Sequence, residues 1–439
     1  MGNKVVVAGG GASGLTAAIF AARHGAQVTV LEHKDRVGKK LLMTGNGKCN
    51  LTNMSDVHGK YYSSDAASLN KIYDTLVRFD AVRTREFFKE LGLFTKEKRD
   101  GGIYPVSEQA SIVLDVLRSA CHQLGVQVMT DCELCSVNPM DTGGGQLGIQ
   151  HCLREDSGQG KKRNHVIESH AAKSHAILSQ KEKIYYDRLI LATGGKAAAL
   201  TGSDGSGYML AKSLGHSIIE PLPALVQLRC AGNFFKAVSG IRAQSRLELF
   251  VDGKLSSVQE GELQLTDYGI SGIPVFQFSR IAARALYDDK KCDVKIDFVP
   301  YLSQQDKELL FCNMERFQYK AAEEFLAGLV HKKLAALVCK RNGICSGMTV
   351  KEAGVKKLRA CMKELESFWV QVIASNSFEN AQVCSGGIPL SEVDNEFQSV
   401  ICKHVYLVGE LLDCDGICGG YNLQWAWATG AIAGKAAAD

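Results

Sequence analysis

The sequence predicts an α/β protein in which a parallel-sheet domain, discontinuous in the chain, is interrupted by an inserted antiparallel β-barrel-like and helical domain. Three observations predict this class. Near the N-terminus, a short apolar strand is followed by a glycine-rich turn and an alanine-rich helix. Two later apolar strands, near residues 190 and 406, also end in glycine. Between them lie alternating strand-like runs and then segments with helical spacing.

Residues 4–32 predict a strand–helix–strand unit. Val5–Ala8 is short, β-branched and apolar, which is typical of a strand buried on both faces. A glycine-rich turn leads into an alanine-rich helix that ends at Gly25, and Val28–Glu32 resumes the sheet. Two strands joined through a helix pair in parallel, so this unit begins the predicted sheet.

Two helices are predicted between residues 70 and 124. Asp80 can cap a helix over Ala81–Leu91, and a second helix is expected over Ser107–Leu124. The polar stretch 140–183 follows, with four of the eleven histidines and no sustained period, so we expect an extended hairpin or loop insertion there. The spacing of its histidines suits no helical metal face, and we expect no metal site.

The middle of the chain changes character. Asp252-Gly253 between alternating runs predicts a hairpin, and residues 215–275 suggest an antiparallel barrel or sheet. Residues 302–366 have helical spacing, and two capping-box pairs are present: Ser303 with Asp306, and Thr349 with Glu352.

The order of these elements predicts where the domains begin and end. The nucleotide-binding domain takes residues 1–200 and 395–439. The insertion is divided into a β-rich part over 201–300, a helical segment over 301–370, and a return through the β-rich part over 371–394.

Composition excludes several classes of protein. The chain has 439 residues, 46% of them apolar and 22% charged, which excludes wholesale disorder. A net charge of +4 gives no support to nucleic-acid binding, and no apolar run approaches the 18 residues of a membrane span. Fifteen scattered cysteines, an odd number, favour reduced thiols and therefore a cytoplasmic location over a disulfide-framed secreted protein.

The first chemical motif is Gly9-x-Gly11-x-x-Gly14, placed between the first strand and its helix. This Rossmann-like arrangement holds a pyrophosphate against the helix N-terminus, to which Ala12 and Ser13 belong. Glu32, eighteen residues after Gly14, can accept hydrogen bonds from both ribose hydroxyls and would repel a ribose phosphate. The dinucleotide is therefore NAD-like or FAD; the alternative is a glycine-rich turn without a ligand.

Later segments favour FAD. Thr193-Gly194-Gly195 and Gly409-Glu410 follow strands that end at the same sheet edge. They resemble the corresponding segments of two-part FAD domains of the glutathione-reductase type, with Glu410 in place of the usual Asp.

Four blocks narrow the resemblance: Gly38–Asn53, Gly205–Tyr208, Leu265–Gly272 and Asp415–Ala426. They resemble a bacterial family of NAD(P)/FAD-dependent oxidoreductases that includes an aminoacetone oxidase and a reductase of bile-acid dehydroxylation. The resemblance covers nearly the whole chain. The sequence departs from the family's pattern at the 140–183 insertion and at Cys414.

The resemblance implies a set of FAD contacts, with the helix that begins near Leu423 stabilising negative charge on the flavin pyrimidine. Beyond the motif residues already named, the implied cofactor-binding residues are His33, Lys39, Lys40, Thr44, Gly47, Asn50, Leu134, Gly420, Tyr421, Asn422 and Leu423.

No catalytic residue is assigned. The candidates are Cys49, Tyr268, Tyr421 and Cys418, each with ordinary packing as the alternative. Cys418 can also pair with Cys414 in a redox-active disulfide.

We therefore expect an FAD-dependent oxidoreductase in which NAD(P)H, bound transiently, reduces the flavin and an activated C=C bond accepts hydride. The family resemblance suggests a 3-oxo bile-acid or steroid enone, with Leu265–Phe278 facing the substrate. The alternatives are an oxidase of a small amine or amino-ketone that produces peroxide, and a flavin-binding regulatory protein without turnover. A tRNA-modifying flavoenzyme is disfavoured by the nearly balanced charge. The sequence leaves the oligomeric state open.

Overall fold

The computed structural model describes residues 2–98, 100–140, 143–152 and 179–439. The chain divides into two compact units. The first comprises Met1–Glu220 and Gly386–Asp439, and the second comprises Pro221–Ser385.

Within the described ranges, the helices and strands have the following bounds. The helices are α1 Ala12–Arg23, α2 Lys39–Met43, α3 Ser68–Arg78, α4 Ala81–Glu90, α5 Ala110–Gln123, α6 Ser206–Ser213, α7 Phe235–Val238, α8 Ile273–Tyr287, α9 Gln304–Cys312, α10 Ala322–Leu326, α11 Lys332–Arg341, α12 Val350–Glu366 and α13 Tyr421–Ala438. The strands of the first 220 residues are β1 Lys4–Ala8, β2 Gln27–Leu31, β3 Thr52–Asn53, β4 Tyr61–Tyr62, β5 Thr95–Glu97, β6 Gly102–Pro105, β7 Gln127–Met129, β8 Cys132–Pro139, β9 Gly145–Cys152, β10 Ser179–Tyr186 and β11 Arg188–Leu191. The later strands are β12 Ile219–Ala224, β13 Leu228–Cys230, β14 Arg242–Val251, β15 Lys254–Leu265, β16 Gly269–Ser271, β17 Cys292–Asp297, β18 Phe368–Ser375, β19 Val383–Gly387, β20 Val405–Leu407 and β21 Asp415–Gly416.

The first unit is organised by a five-stranded sheet with the order β20-β11-β1-β2-β7, in which every pairing is parallel. Residues 5–8 of the central strand are almost fully buried, as their apolar sequence predicts. The carboxyl ends of β1, β11 and β20 lie side by side, because those strands are neighbours that run in the same direction. The glycine-bearing segments that follow them therefore meet at one edge.

Helices α1 and α13 pack at unusually close range. A Cβ atom on Gly430 would lie 2.4 Å from the Ser13 carbonyl oxygen, and one on Gly434 would lie 2.3 Å from the Ala17 carbonyl oxygen. Only hydrogen fits at those two positions, so the spacing of four residues between the glycines lets one face of α13 lie against the backbone of α1.

The predicted N-terminal elements are confirmed, with one shifted boundary. The Asp80 carboxylate accepts from the Arg83 N–H and caps α4 as expected. The next helix, α5, begins at Ala110 and not at Ser107. Its start is displaced because Glu108 adopts a left-handed backbone with φ of +52° and so cannot join a right-handed helix.

The flanks of the polar stretch form a three-stranded antiparallel sheet with the order β10-β9-β8. The hairpin prediction is confirmed for these flanks. Three of the four histidines noted there, at positions 165, 170 and 175, lie outside the described residues.

The second unit contains a closed barrel with the order β13-β16-β15-β14-β17-β18. The predicted Asp252-Gly253 hairpin joins β14 to β15, with Val251 opposite Lys254. Helices α9 to α12 lie in the chain between β17 and β18, and both predicted capping boxes are present. The barrel therefore closes through strands well beyond residue 275. No helix among the described residues has the length and apolar character needed to cross a membrane.

Candidate functional site

The turn after β1 has the geometry of a pyrophosphate cradle. The Gly9 N–H donates to the Leu31 carbonyl at 2.8 Å, which ties the turn to the neighbouring strand. A Cβ atom on Gly14 would lie 1.9 Å from the Gly9 carbonyl oxygen, so α1 can approach the turn only with glycine there. By contrast, a Cβ atom on Gly11 would meet nothing within 4 Å, and no side chain caps the N-terminus of α1. The first turn thus offers N–H groups to an open space.

Glu32 is buried and held in place by backbone amides. Its Oε2 accepts from the Gly10 N–H at 3.0 Å, and its Oε1 accepts from the Lys34 N–H at 2.8 Å. Each carboxylate oxygen keeps a second lone pair after these bonds. The carboxylate therefore has a fixed orientation and remaining capacity to accept hydroxyl protons. The neighbouring His33 ring lies against Gly202, whose Cβ atom would be 3.1 Å from His33 Cε1.

The segment after β11 lies at the same sheet edge as the first turn. Gly194 has a left-handed backbone, and the Gly195 carbonyl accepts from the Gly205 N–H at 3.1 Å. A Cβ atom on Gly194 would lie 3.0 Å from Ser203 Oγ. The side-chain oxygen of Thr193 is buried without a hydrogen-bond partner.

The segment after β20 is braced by two residues that sequence reasoning missed. The Gly409 N–H donates to Thr429 Oγ1 at 3.0 Å, and Trp425 Nε1 donates to the Gly409 carbonyl at 3.1 Å. Lys40 and Glu410, both predicted to contact the cofactor, form an ion pair of 2.6 Å with each other. The structure thus brings together α2 and the end of β20, which are 370 residues apart in the chain.

Residues 44–50 form a tight loop beside this edge. The Cys49 N–H donates to the Thr44 carbonyl at 3.1 Å, and the Thr44 hydroxyl donates to the Leu41 carbonyl at 2.6 Å. Asn50 is buried at 8% exposure, and its Oδ1 has no hydrogen-bond partner. Lys39 pairs with Asp35 at 2.5 Å.

The N-terminus of α13 adjoins that loop. The helix begins at Tyr421, and no side chain caps it. A Cβ atom on Gly420 would lie 2.9 Å from Asn50 Oδ1, which places the amide acceptor beside the helix start. The side chain of Asn422 is committed elsewhere, since it accepts from the Gly416 N–H and donates to the Gly416 carbonyl, both at 2.8 Å. The first backbone N–H groups of this helix point along its axis, beyond the N-terminus, and no side chain caps them.

Leu134 lies on β8, half-buried and opposite Ile149. The Cys132 N–H donates to the Glu32 carbonyl at 2.9 Å, so the start of β8 runs beside the acidic end of β2. This strand is near the Glu32 carboxylate, and a direct contact of Leu134 with an adenine stays a prediction.

The candidate thiols are protonated at neutral pH. Cys49 is fully buried, and burial raises its pKa to about 12. Burial likewise raises the pKa of Cys418 to about 12. Cys414 is buried and Cys418 is half-buried, and a redox-active disulfide between them stays a prediction. When protonated, Cys49 and Cys418 cannot act as thiolate nucleophiles.

The two candidate tyrosines lie in different units. Tyr421 is buried, its pKa is raised by burial, and its carbonyl accepts from the Tyr61 hydroxyl at 2.8 Å. Tyr268 lies between β15 and β16 of the barrel, and its hydroxyl accepts from Asn376 Nδ2 at 3.0 Å. The guanidinium carbon of Arg229 lies 5.1 Å from the centre of the Tyr268 ring.

Unsatisfied buried acceptors test whether these residues suit a flavin dinucleotide. Among the described residues, Asn50 Oδ1, Thr52 Oγ1 and Thr193 Oγ1 are buried without a hydrogen-bond partner. Leaving such atoms buried and unpaired costs about 1–3 kcal/mol each, which a bound group with hydroxyls and ring N–H donors removes. With the open cradle at Gly11, the site fits FAD. Thr52, in β3, lies within the Gly38–Asn53 block, but it was not singled out there as a cofactor contact. No cluster of metal-binding side chains is found in the described ranges.

Comparison with known proteins agrees with this geometry. Residues 3–436 match the family model described as the HI0933-like protein Rossmann domain. The chain is 38% identical to a 3-dehydro-bile acid delta(4,6)-reductase of Clostridium scindens, over 100% of this chain and 99% of that protein. It is 26% identical to a ribosomal RNA dihydrouridine synthase of Haemophilus influenzae, over 97% and 96% of the two chains. The solved 3-ketosteroid delta1-dehydrogenase of Sterolibacterium denitrificans shares the fold, with a TM-score of 0.50 at 12% identity over 99% of each chain.

Proposed function

The chain belongs to the HI0933-like Rossmann family, and on that premise we propose that it is an FAD-dependent reductase of an electron-poor C=C bond in a 3-oxo steroid enone of the bile-acid type. The observation that carries this proposal is the 38% identity, over the whole chain, to a 3-dehydro-bile acid delta(4,6)-reductase. Once reduced by an electron donor, bound FAD would supply the hydride that such a bond accepts.

The chain's own residues hold and polarise the cofactor. The N-terminus of α1 offers N–H groups to the pyrophosphate above Gly11, and the Glu32 carboxylate accepts from the ribose hydroxyls. The N-terminus of α13, next to Asn50, places the positive end of an 18-residue helix where negative charge develops on the ring. This arrangement lowers the free energy of the charged reduced form without requiring a catalytic side chain.

The electron donor proposed is NAD(P)H. The sequence contains no second strand–GxGxxG–helix unit, and Gly148, in the other glycine-rich stretch, lies within strand β9. A nicotinamide dinucleotide would therefore bind transiently against the flavin face and leave before the enone enters.

Three other functions are open to the same test. An oxidase would reduce oxygen to peroxide at the expense of a small amine or amino-ketone. A regulatory flavoprotein would bind FAD without turnover. The family also contains proteins named as ribosomal RNA dihydrouridine synthases, which makes uridine in RNA a further acceptor to try.

Anaerobic half-reactions separate these possibilities. We expect NADH or NADPH to bleach the flavin absorbance of the purified holoprotein without oxygen, and a 3-oxo-4-ene or 3-oxo-4,6-diene bile acid to restore it. Mass spectrometry should show two hydrogens added to the steroid. Failure of steroid enones to reoxidise the flavin would contradict the proposal. Reoxidation by uridine-containing rRNA alone, or peroxide formation from aminoacetone in a separate assay with oxygen present, would identify a different activity.

Glu32→Gln is expected to weaken FAD binding by about tenfold or more. The amide replaces one of the two carboxylate oxygens by an NH₂ group, which cannot accept from the backbone and reduces the charge on the ribose-binding acceptor. Hydrogen bonds to charged groups contribute about 1.5–3 kcal/mol, and about 1.4 kcal/mol is tenfold in affinity. Titration of apoprotein with FAD, followed by flavin fluorescence, measures the change. Glu90→Gln, at an exposed ion pair with Arg23, is the matched control. Equal FAD affinity in both variants would show that Glu32 does not hold the ribose.

A further inference from the structure

One face of the β5–β6 hairpin combines apolar and cationic side chains at the surface. Lys96 pairs with Tyr104, the Val106 N–H donates to the Phe94 carbonyl at 3.0 Å, and the Lys98 N–H donates to the Gly102 carbonyl at 2.9 Å. Since side chains alternate along a strand, one face carries Phe94, Lys96, Lys98, Tyr104 and Val106. The intervening Ile103 points the other way and is fully buried. We call this outward surface the hairpin face.

Positive charge on the hairpin face is only partly neutralised. Lys48 and Lys96 approach the Glu108 carboxylate at 2.9 and 2.8 Å, and Lys98 approaches it at 3.6 Å. Three ammonium groups thus share one carboxylate, and the hydrogen bonds from Lys96 and Lys48 lower the pKa of Glu108 to about 2. Asp100, at the hairpin turn, accepts from the Gly102 N–H at 3.3 Å. Three cations held around one anion can accommodate a second anion.

The apolar part of the hairpin face is exposed to an unusual degree. Phe94 is 66% exposed and Val106 is 56% exposed, on opposite strands of the hairpin. The ammonium group of Lys98 lies 4.0 Å from the centre of the half-buried Tyr104 ring, which keeps that ring in a fixed orientation. A ligand that covers this face gains apolar burial next to a positive charge.

The hairpin face adjoins the loop assigned to the flavin. The Tyr104 ring lies 3.7 Å from the Cβ position of Gly45, within the tight 44–50 loop. A Cβ atom on Gly102 would lie 3.1 Å from the side-chain amide nitrogen of Asn50. Lys48 belongs to the same loop. A molecule that extends from the flavin ring across Tyr104 therefore reaches the three lysines.

From this arrangement, we propose that the hairpin face binds the carboxylate-bearing end of an amphipathic organic acid, with Lys48, Lys96 and Lys98 around the carboxylate and Phe94, Tyr104 and Val106 against the apolar body. This rests on the proposed function for its position beside the flavin. The substrate class is then an acid with a rigid apolar skeleton. The three lysines select this acid over a neutral enone.

Calorimetric titration of the holoprotein with two non-reducible ligands tests the assignment without turnover. The ligands are a saturated 3-oxo steroid carboxylic acid and the same steroid with its carboxylate replaced by a primary alcohol. Lys96→Met with Lys98→Met is expected to weaken binding of the acid about tenfold and to leave binding of the alcohol unchanged, since one exposed ion pair contributes a factor of about two to five. Lys89→Met, at an exposed lysine on α4, is the matched control and should change neither affinity.

Each result decides the proposal separately from the reductase assignment. If the double variant loses affinity for the acid but not for the alcohol, and its acid binding depends less on salt, the carboxylate site on the hairpin face is supported. This holds even if no enone is reduced. Equal affinity of the double variant and the native protein for the acid overturns it. The proposal is also overturned if NADPH bleaches the flavin of the double variant more slowly while acid binding is unchanged. The lysines would then hold a dinucleotide phosphate. If the double variant loses affinity equally for the acid and for the alcohol, its surface is damaged and carboxylate recognition is rejected.

Discussion

Gly11→Ala is expected to give a protein that folds normally and purifies without FAD. The reason is geometric: a Cβ atom on Gly11 meets nothing within 4 Å in the protein. The backbone at this position has φ of −83° and ψ of −166°, which any residue can adopt. The new methyl group would therefore cost the fold almost nothing and would project into the space that we propose for the pyrophosphate.

The expected weakening of FAD binding is about 100-fold or more. A methyl group in the cradle separates the phosphate oxygens from the N–H groups at the start of α1, and a charge-assisted hydrogen bond contributes about 1.5–3 kcal/mol. The loss of one to two such bonds corresponds to about two decades in affinity. The flavin absorbance per protein after purification, and the affinity of apoprotein for added FAD, measure the effect.

Two further glycine substitutions control this experiment. Gly328→Ala adds a methyl group in ordinary contact, 3.6 Å from the Phe325 carbonyl oxygen, and should change neither stability nor flavin content. Gly14→Ala places a Cβ atom 1.9 Å from the Gly9 carbonyl oxygen and should lower the melting temperature of the apoprotein as well. If Gly11→Ala retained full FAD, the pyrophosphate would not lie over the α1 N-terminus.

The nucleotide-binding half was predictable because its physical requirements are local in sequence. Buried parallel strands need continuous apolar runs, so Val5–Ala8 and the strand ending at Leu191 stand out. The glycines that follow are required by close backbone approach, as at Gly14. Since parallel neighbours end at one edge, the meeting of distant glycine segments followed from strand identity alone.

What the sequence did not reveal depends on contacts between distant residues. Thr429 and Trp425 brace Gly409 from within a helix whose apolar pattern gives no sign of that role. The side chain of Asn422 closes its own loop by hydrogen bonds to the N–H and the carbonyl of Gly416. The barrel closes only when β18 pairs with β13 and β17, across a helical segment, and no local pattern specifies that pairing. The same limitation applies to the lysines around Glu108, which come from a loop and a hairpin.

Tyr268→Phe is expected to slow reduction of the enone by about 10²- to 10⁴-fold while leaving FAD content unchanged. Adding hydride to one carbon of a conjugated C=C bond requires a proton at the other carbon or at the carbonyl oxygen, and a positioned general acid contributes about that factor. We propose that Tyr268 supplies it, because the family resemblance implies that its segment, Leu265–Phe278, faces the substrate. Its hydroxyl oxygen accepts from Asn376, and no acceptor for its own proton lies within hydrogen-bond distance among the described residues.

The surroundings of Tyr268 suit a proton donor better than those of the other candidates. The guanidinium of Arg229 lies over its ring, and Arg229 also donates to Asn376 Oδ1 at 3.5 Å. The Asn376 amide therefore contacts the Tyr268 hydroxyl, and the Arg229 guanidinium contacts the Tyr268 ring. Cys49, in contrast, is fully buried in an apolar core, where the thiolate left after donation would be strongly disfavoured.

Half-reaction kinetics distinguish a proton donor from a structural tyrosine. In Tyr268→Phe, the bleaching of the flavin by NAD(P)H should keep the native rate, and only reoxidation by the enone should slow. Tyr287→Phe provides the matched control, because that tyrosine also lies under an arginine, with Arg284 at 5.4 Å, but is 56% exposed on α8. Equal slowing of both half-reactions would indicate a distorted barrel, and unchanged reoxidation would transfer the role to Tyr421. A proton donor also predicts that the native reoxidation rate falls in deuterated buffer, since the step that Tyr268 accelerates is the transfer of a solvent-exchangeable proton.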